Sequence, residues 1–367
     1  LNNIRVIGFN KTATAEDTDF LLELAKGDYH GINDAGAVDN TIPPVLVGTV
    51  NYDVIDGDTY DALKVAFGKN LTINYNKLIA LIKFADPDVL AKLLANGIGS
   101  DGGVTREQAA AVTTLPSFFD DKTIDSFDEL QYFTGLTQIG PSNWANGGFY
   151  RASNLKSVVL PSSVEILGNN AFRECSSLSS INLEHIKILM EGVFNGCTSL
   201  AIAVNMPNLT TLTKKAFYMS GITEIASLGK VTELPSDSSQ NGTFYKCLNL
   251  TKVNLSGITK MGWYEFCDCT ALSEVINTTG VIEMGSLCFY NTAITVVNYP
   301  NLTVIGYRAF DNCKSLISVS SLGKVTELPS GGSQNGIFRN CSSLVDVRLP
   351  ETLNKIGEYT FSGCSVF

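Results

Sequence analysis

Histidine, tryptophan and long apolar runs are scarce in this chain, and each scarcity excludes a class of function. Only His30 and His185 represent histidine among 367 residues. No HExxH, GxSxG or Cys/His zinc spacing is present, so motif-borne metal and triad chemistry have no carrier. His185, just after "SINLE", reads as a solvated or packed residue rather than a base. No cofactor and no metal is expected. No apolar run approaches the roughly 18 residues of a membrane helix, and no basic-then-apolar signal segment opens the chain at Leu1. The chain therefore reads as cytosolic, or as a mature or trimmed piece of an exported protein.

Concentrated positive charge is missing too. The net charge of −10 belongs to residues 1–140, with 20 acidic and 10 basic side chains, whereas 141–367 carries 16 of each. Phosphate binding needs clustered Lys and Arg, so nucleic acid is excluded as a partner. One glycine motif matches by letter, "GIGSDG" at 97–102. It follows "DPDVLAKLLAN", which reads as a helix with Asp86 as cap and Pro87 in the first turn. A dinucleotide site needs a strand there, so nucleotide binding is rejected.

What the sequence does contain is a register. Phe149, Phe172, Phe194, Phe217, Phe244, Phe266, Phe289, Phe310, Phe338 and Phe361 recur at spacings of 21–28 residues. That period falls in the leucine-rich-repeat range of roughly 20–29. Each unit also carries a strand pattern, as in "LKSVVLP" (155–161), "LTKVNLS" (250–256) and "LVDVRLP" (344–350). The two-residue period of a strand turns Leu155, Val158, Leu160, Leu250, Val253 and Leu255 inward. No single unit buries its apolar side alone, so stacking makes one continuous core.

Three units are longer. Most place an apolar position five residues before the Phe, but Ile139, Leu234 and Leu328 stand ten residues before theirs. The inserts fall at every fourth repeat, and the decamer "SLGKVTELPS" precedes two of them unchanged, at 227–236 and 321–330. Duplication of a four-repeat block explains this. The inserts are then either copied sequence without a role or a row of equivalent contact loops on one edge. In the second case Trp144, Asn146, Gln240, Asn241, Gln334 and Asn335 carry contacts.

Seven of nine cysteines stand three residues after an anchor Phe; Cys267 and Cys288 do not. Stacked positions have parallel Cα–Cβ vectors, and the total is odd, so the thiols read as unpaired, small and buried.

The Phe-x-x-Cys-x-x-Leu units, with "SSVEILGNNAF" and "ETLNKIGEYTF" between them, resemble BspA-like leucine-rich repeats of bacterial surface proteins, common in Bacteroides-type anaerobes. The resemblance covers about 137–367 and extends upstream through 84–140. Similar proteins carry a calcium-type loop there. Here Gly97, Gly99, Asp101 and Gln108 occupy loop positions one, three, five and twelve, and one carboxylate is too few for calcium. Thr105 with Gln108, and Ser126 with Glu129, read as capping boxes.

The expected fold is an α/β solenoid, a right-handed leucine-rich-repeat superhelix with a parallel sheet on one face. The expected divisions are an acidic α+β module at 1–83, a helical segment at 84–136 capping the solenoid, and repeats at 137–367. In 1–83, "AEDTDFLLELAKG" and "DTYDALKVAFG" read as helices, and "PPVLVGTVNYDVIDGD" mixes strand and turn signals. At the other end the chain stops inside a repeat, so the last turn frays or the natural protein continues.

The resemblance implies an exported, non-enzymatic, surface-attached module, monomeric, which binds host or microbial surface proteins. Glycans are the alternative partner, with Trp144, Trp263, Tyr264 and Tyr307 as stacking candidates. The outward strand positions supply the contact strip, including Asn182, Asn205, Lys252, Asn254, Asn298 and Arg348.

Overall fold

The computed structural model describes residues 79–367 apart from 101, 116–118, 120–122, 144–147, 237–238, 331, 333–334 and 366–367, together with short strands before residue 79. The chain forms two compact units, Leu1–Ala111 and Val112–Phe367, a division that falls inside the segment 84–136. In the first unit, Val54–Asp56 pairs in parallel with Ile79–Leu81, and Gly31–Ile32 pairs antiparallel with Val38–Asp39. Gly48–Thr49, Asn51–Tyr52 and Val54–Asp56 lie in the stretch of mixed strand and turn signals. The two helices read within 1–83 lie outside the described residues. Helix α1, Pro87–Ala95, starts as its sequence predicts: Asp86 accepts from the amide of Asp88 at 2.9 Å. Helix α2, Arg106–Ala110, has the capping box of Thr105 and Gln108. Gln108, where a calcium loop would need a bidentate carboxylate, spends its oxygen on the Thr105 amide at 2.9 Å.

The second unit is the stack of repeats. The expected parallel sheet runs through Ser126–Phe127, Ser157–Val158 and Ser180–Ile181. It resumes through Ala203–Asn205, Glu224–Ser227, Lys252–Asn254 and Glu274–Ile276, then Val296–Asn298, Ser318–Ser321 and Asp346–Val347. Its inward residues are the predicted ones: Leu155, Val253 and Leu255 are fully buried. Ser126 lies in a strand of this sheet, and the 3-10 helix Asp128–Tyr132 begins at Phe127 without a side-chain cap.

A second parallel sheet accompanies the first. It is built from the residue pairs ahead of each anchor whose second member is apolar: Gln138–Ile139, Ile166–Leu167, Ile188–Leu189 and Thr211–Leu212 form one segment. Glu233–Leu234, Lys260–Met261, Glu283–Met284 and Val304–Ile305 form the next, and Glu327–Leu328 with Lys355–Ile356 the last. Each segment starts on an insert-bearing rung, so the four-repeat block is also visible in the hydrogen bonding.

The third side carries the anchors. Nine successive ring pairs, from Phe149 to Phe361, stack with centroids 5.1–5.8 Å apart and planes within 23°. Such offset aromatic pairs add about 0.5–1.5 kcal/mol each beyond area burial. The backbone turns through the left-handed region on both sides of the ring, at Asn170 and Glu174, Lys215 and Met219, or Tyr264 and Asp268. The strain, about 1–2 kcal/mol per residue, is offset by bonds that recur between rungs. Phe172 N donates to Val193 O at 3.0 Å and Glu174 N to Asn195 O at 2.7 Å.

All nine cysteines are free thiols. The seven in register do more than fill space. Cys175 Sγ donates to Phe149 O at 2.9 Å, Cys247 to Phe217 O at 3.0 Å and Cys341 to Phe310 O at 3.2 Å. Each thiol thus adds a second hydrogen bond to the carbonyl of the anchor one rung earlier, which already accepts a main-chain amide, as Phe149 O does from Ala152 N at 3.0 Å. Ser220, at the same position, lies 3.6 Å from Cys247 Sγ.

The repeated decamer has a structural cause. Ser227 and Ser321 end the two longest strands of the first sheet, each across a register shift from Asn205 or Asn298. Their hydroxyls accept from Gly229 N and Gly323 N, both at 3.2 Å. Those glycines hold φ of 62° and 61° against the preceding rung, where a Cβ on Gly229 would stand 2.6 Å from Leu209 O. Leu228, Val231 and Leu234, with Leu322, Val325 and Leu328, then return to the core. The decamer is the path from a bulged strand, through a tight turn, to the mouth of an insert.

Candidate functional site

The outward face of the first sheet is the broadest candidate surface. Its columns are in register: Glu224 beside Lys252 beside Glu274, and Val296 beside Ser318 beside Asp346. Lys252 Nζ lies 3.5 Å from a Glu274 oxygen, an exposed pair worth at most about 1 kcal/mol. Of the predicted contact residues, Asn205, Asn298 and Arg348 are exposed and Lys252 is half-buried. Two others are half-buried and bonded to neighbouring strands. Asn182 binds both polar atoms of Leu160, accepting from its N at 2.7 Å and donating to its O at 3.0 Å. Asn254 donates to Ala226 O at 2.9 Å and accepts from Ser256 N and Asn277 Nδ2, each at 2.9 Å. These asparagines tie strands together, because a side-chain amide can serve a neighbouring backbone donor and acceptor at once.

The insert residues divide. Trp144, Asn146 and Gln334 lie outside the described residues. Gln240 is exposed, its oxygen 3.4 Å from the Tyr245 hydroxyl. Asn335 is half-buried. Asn241 is only 2 % exposed and donates to Ser239 Oγ at 2.9 Å, so it shapes its own loop.

The residue columns bring together an aromatic group that the linear reading left scattered. Tyr218 and Tyr245 stack at 5.0 Å, Tyr264 meets Tyr245 edge-on at 6.3 Å, and Trp263 meets Tyr307 edge-on at 5.4 Å. Tyr218, Tyr245 and Tyr290 were missed, although each follows its anchor Phe directly and aligning the units on that ring puts them in one column. Burial raises the phenol pKa of Tyr218, Tyr245, Tyr264 and Tyr290, so all four remain neutral donors.

Beside this group the second sheet is hollowed. Gly262, Gly285 and Gly306 follow its strands on three successive rungs, and side chains there would strike the rung before: a Cβ on Gly262 would lie 2.6 Å from Ser236 N. Two adjoining cavities of about 310 and 320 Å³ open over this column, sharing Ser236, Lys260 and Gly262. Lys260 Nζ is 3.1 Å from a Glu283 oxygen, and that hydrogen bond raises the Lys260 pKa, with Glu233 adding to it. Beneath the second insert, Glu265 is fully buried and accepts from Thr243 N at 3.0 Å. Its carboxyl is pushed up to about 7 by burial.

Sequence comparison completes the picture. Six copies of the BspA type leucine rich repeat region match residues 124–241 and 237–367. The chain belongs to the BspA-type leucine-rich repeat family. Among curated proteins none matches this sequence. Solved structures similar to this BspA-type chain include a leucine-rich repeat protein from Bacteroides ovatus, 20% identical over 62% of this chain and 73% of that one, with a TM-score of 0.40. A leucine rich cell surface protein from Faecalibacterium prausnitzii is 20% identical over 64% and 76%, with a TM-score of 0.31. The pneumococcal vaccine antigen PcpA is 16% identical over 61% and 72%, with a TM-score of 0.35.

Proposed function

We propose that this BspA-type chain is an exported, surface-attached, non-enzymatic adhesin-type module that binds host or microbial surface proteins along the first sheet. The observation that carries the reading is the outward face of that sheet, a mixed strip of Asn, Ser, Val, Lys and Glu side chains in parallel register. A flat mixed face suits a broad macromolecular contact rather than an enclosed small-molecule site. The titratable side chains support a binding role over catalysis. Glu265 is sealed from solvent, and the in-register thiols spend their hydrogens on main-chain carbonyls.

The test is biolayer interferometry of the full chain over immobilised matrix proteins and mucins. Asn205→Arg, Asn298→Arg and Arg348→Glu change the strip without touching the core. Saturable binding that weakens at least tenfold in the triple variant is the expected result. Equal binding by wild type and variant would move the contact off this sheet.

A further inference from the structure

The groove over the glycine column lies on the other sheet. We propose that it is a subsite for a neutral glycan, with Trp263 stacking on a sugar ring and Lys260 and Glu283 meeting its hydroxyls.

Its shape comes from three glycines in a row. Gly262, Gly285 and Gly306 leave a floor of bare backbone, and each is held as glycine by the close approach of the neighbouring rung. With rungs about 4.8 Å apart, the floor runs for roughly 10 Å, long enough for an extended saccharide. The cavity volumes of about 310 and 320 Å³ fall at the lower end of the roughly 300–1,000 Å³ of small-ligand sites.

The lining chooses the ligand class. Trp263 is half-buried and held edge-on by Tyr307. A fixed, partly open indole gives an apolar ring face at low entropic cost on binding. Around it the charges balance, Lys214 and Lys260 against Glu233 and Glu283. A balanced set repels neither sign of charge but attracts neither, so polyanions and polycations have no advantage. It does offer ammonium donors and carboxylate acceptors, which suits a neutral polyol. Ser236, the last residue of the decamer ahead of the second insert, stands at the rim and donates its hydroxyl to Trp263 O, which fixes the backbone that carries the indole.

Trp263 is one of two tryptophans, so Trp144→Phe makes it the sole indole reporter. The experiment titrates that full-length variant with cellohexaose, xylohexaose, mannohexaose and maltohexaose, following emission, with calorimetry as a second readout. A saturable emission change with at least one oligosaccharide is expected. Calorimetric affinity should fall at least tenfold in both Trp263→Ala and Lys260→Met, each checked for native circular dichroism. No saturable change with any of the four at millimolar concentration would overturn the proposal. So would undiminished binding in both variants, or a response to dextran sulfate alone. The subsite stands apart from the protein-binding reading: Trp263→Ala should leave protein capture by the first sheet unchanged, so the two ideas fail separately.

Discussion

At the N-terminal end of the repeat stack, Phe119 and Phe127 lie 5.6 and 6.2 Å from the first anchor ring, Phe149, and Phe133 closes on Phe127 at 5.5 Å. All four rings are fully buried. On the last described rungs the corresponding inward positions are more exposed. Leu349 is 42 % exposed and Ile356 50 %, whereas Leu255 and Leu328 in the same columns are at 0 %. Residue type is nearly constant along a column, so the difference lies in the neighbours. In a stacked array, burial belongs to the pair of rungs that sandwich a side chain, not to the side chain itself.

That contrast can be broken first by removing rings. Phe266→Ala, in the middle of the stack, should cost about 3–5 kcal/mol, a buried aromatic truncation with a cavity left behind. Phe127→Ala at the sealed end should cost nearly as much. Phe361→Ala, half-buried at the other end, should cost about 1 kcal/mol or less. Urea unfolding of the three variants measures the series, and equal costs at Phe266 and Phe361 would refute the dependence on neighbours.

A smaller effect tests how dry the middle is. The folded-state pKa of Glu265, about 7, lies above the 4.5 of an exposed carboxyl. The folded chain therefore holds the proton more tightly than the unfolded chain. That contribution is complete below about pH 4.5 and is lost as pH rises through about 7. Each tenfold difference in proton affinity between the two states is about 1.4 kcal/mol, so wild type should lose up to a few kcal/mol between roughly pH 5 and pH 8. Glu265→Gln, which stays neutral and keeps an oxygen for Thr243 N, should be flat over the same window. Thermal melts at the two pH values decide it, and parallel losses in both proteins would place Glu265 in contact with water.

The smallest effect sharpens the comparison without mutation. Eight of the nine thiols are buried and Cys364, on the last rung, is intermediate. Iodoacetamide under native conditions should label Cys364 first, with the mid-stack cysteines protected until the array opens. Peptide mapping by mass spectrometry reads the order, and early labelling of Cys247 or Cys269 would contradict it.

Much of the solenoid was readable because its period is carried by one residue. Ten phenylalanines in register announce a stack, and Leu155, Val158 and Leu160 announce an inward face by alternation alone. The candidate surfaces were less legible. Asn182 and Asn254 stand at outward positions by alternation, yet their amides are taken by the neighbouring strand, a matter of lateral register. Asn241 sits in a polar insert and is nevertheless buried.

By itself the sequence determined the repeat period, the inward columns, the four-repeat block and the small buried thiol position. Each of these is a property of spacing along the chain, which folding preserves. Tertiary structure alone decided what lies across the rungs. It joined Trp263 to Tyr307 over 44 residues, hollowed a groove above Gly262, Gly285 and Gly306, gave the cysteines their carbonyl partners and sealed Glu265 from water. Those features depend on distances of about 5 Å between residues more than 20 positions apart, and only stacking sets such distances.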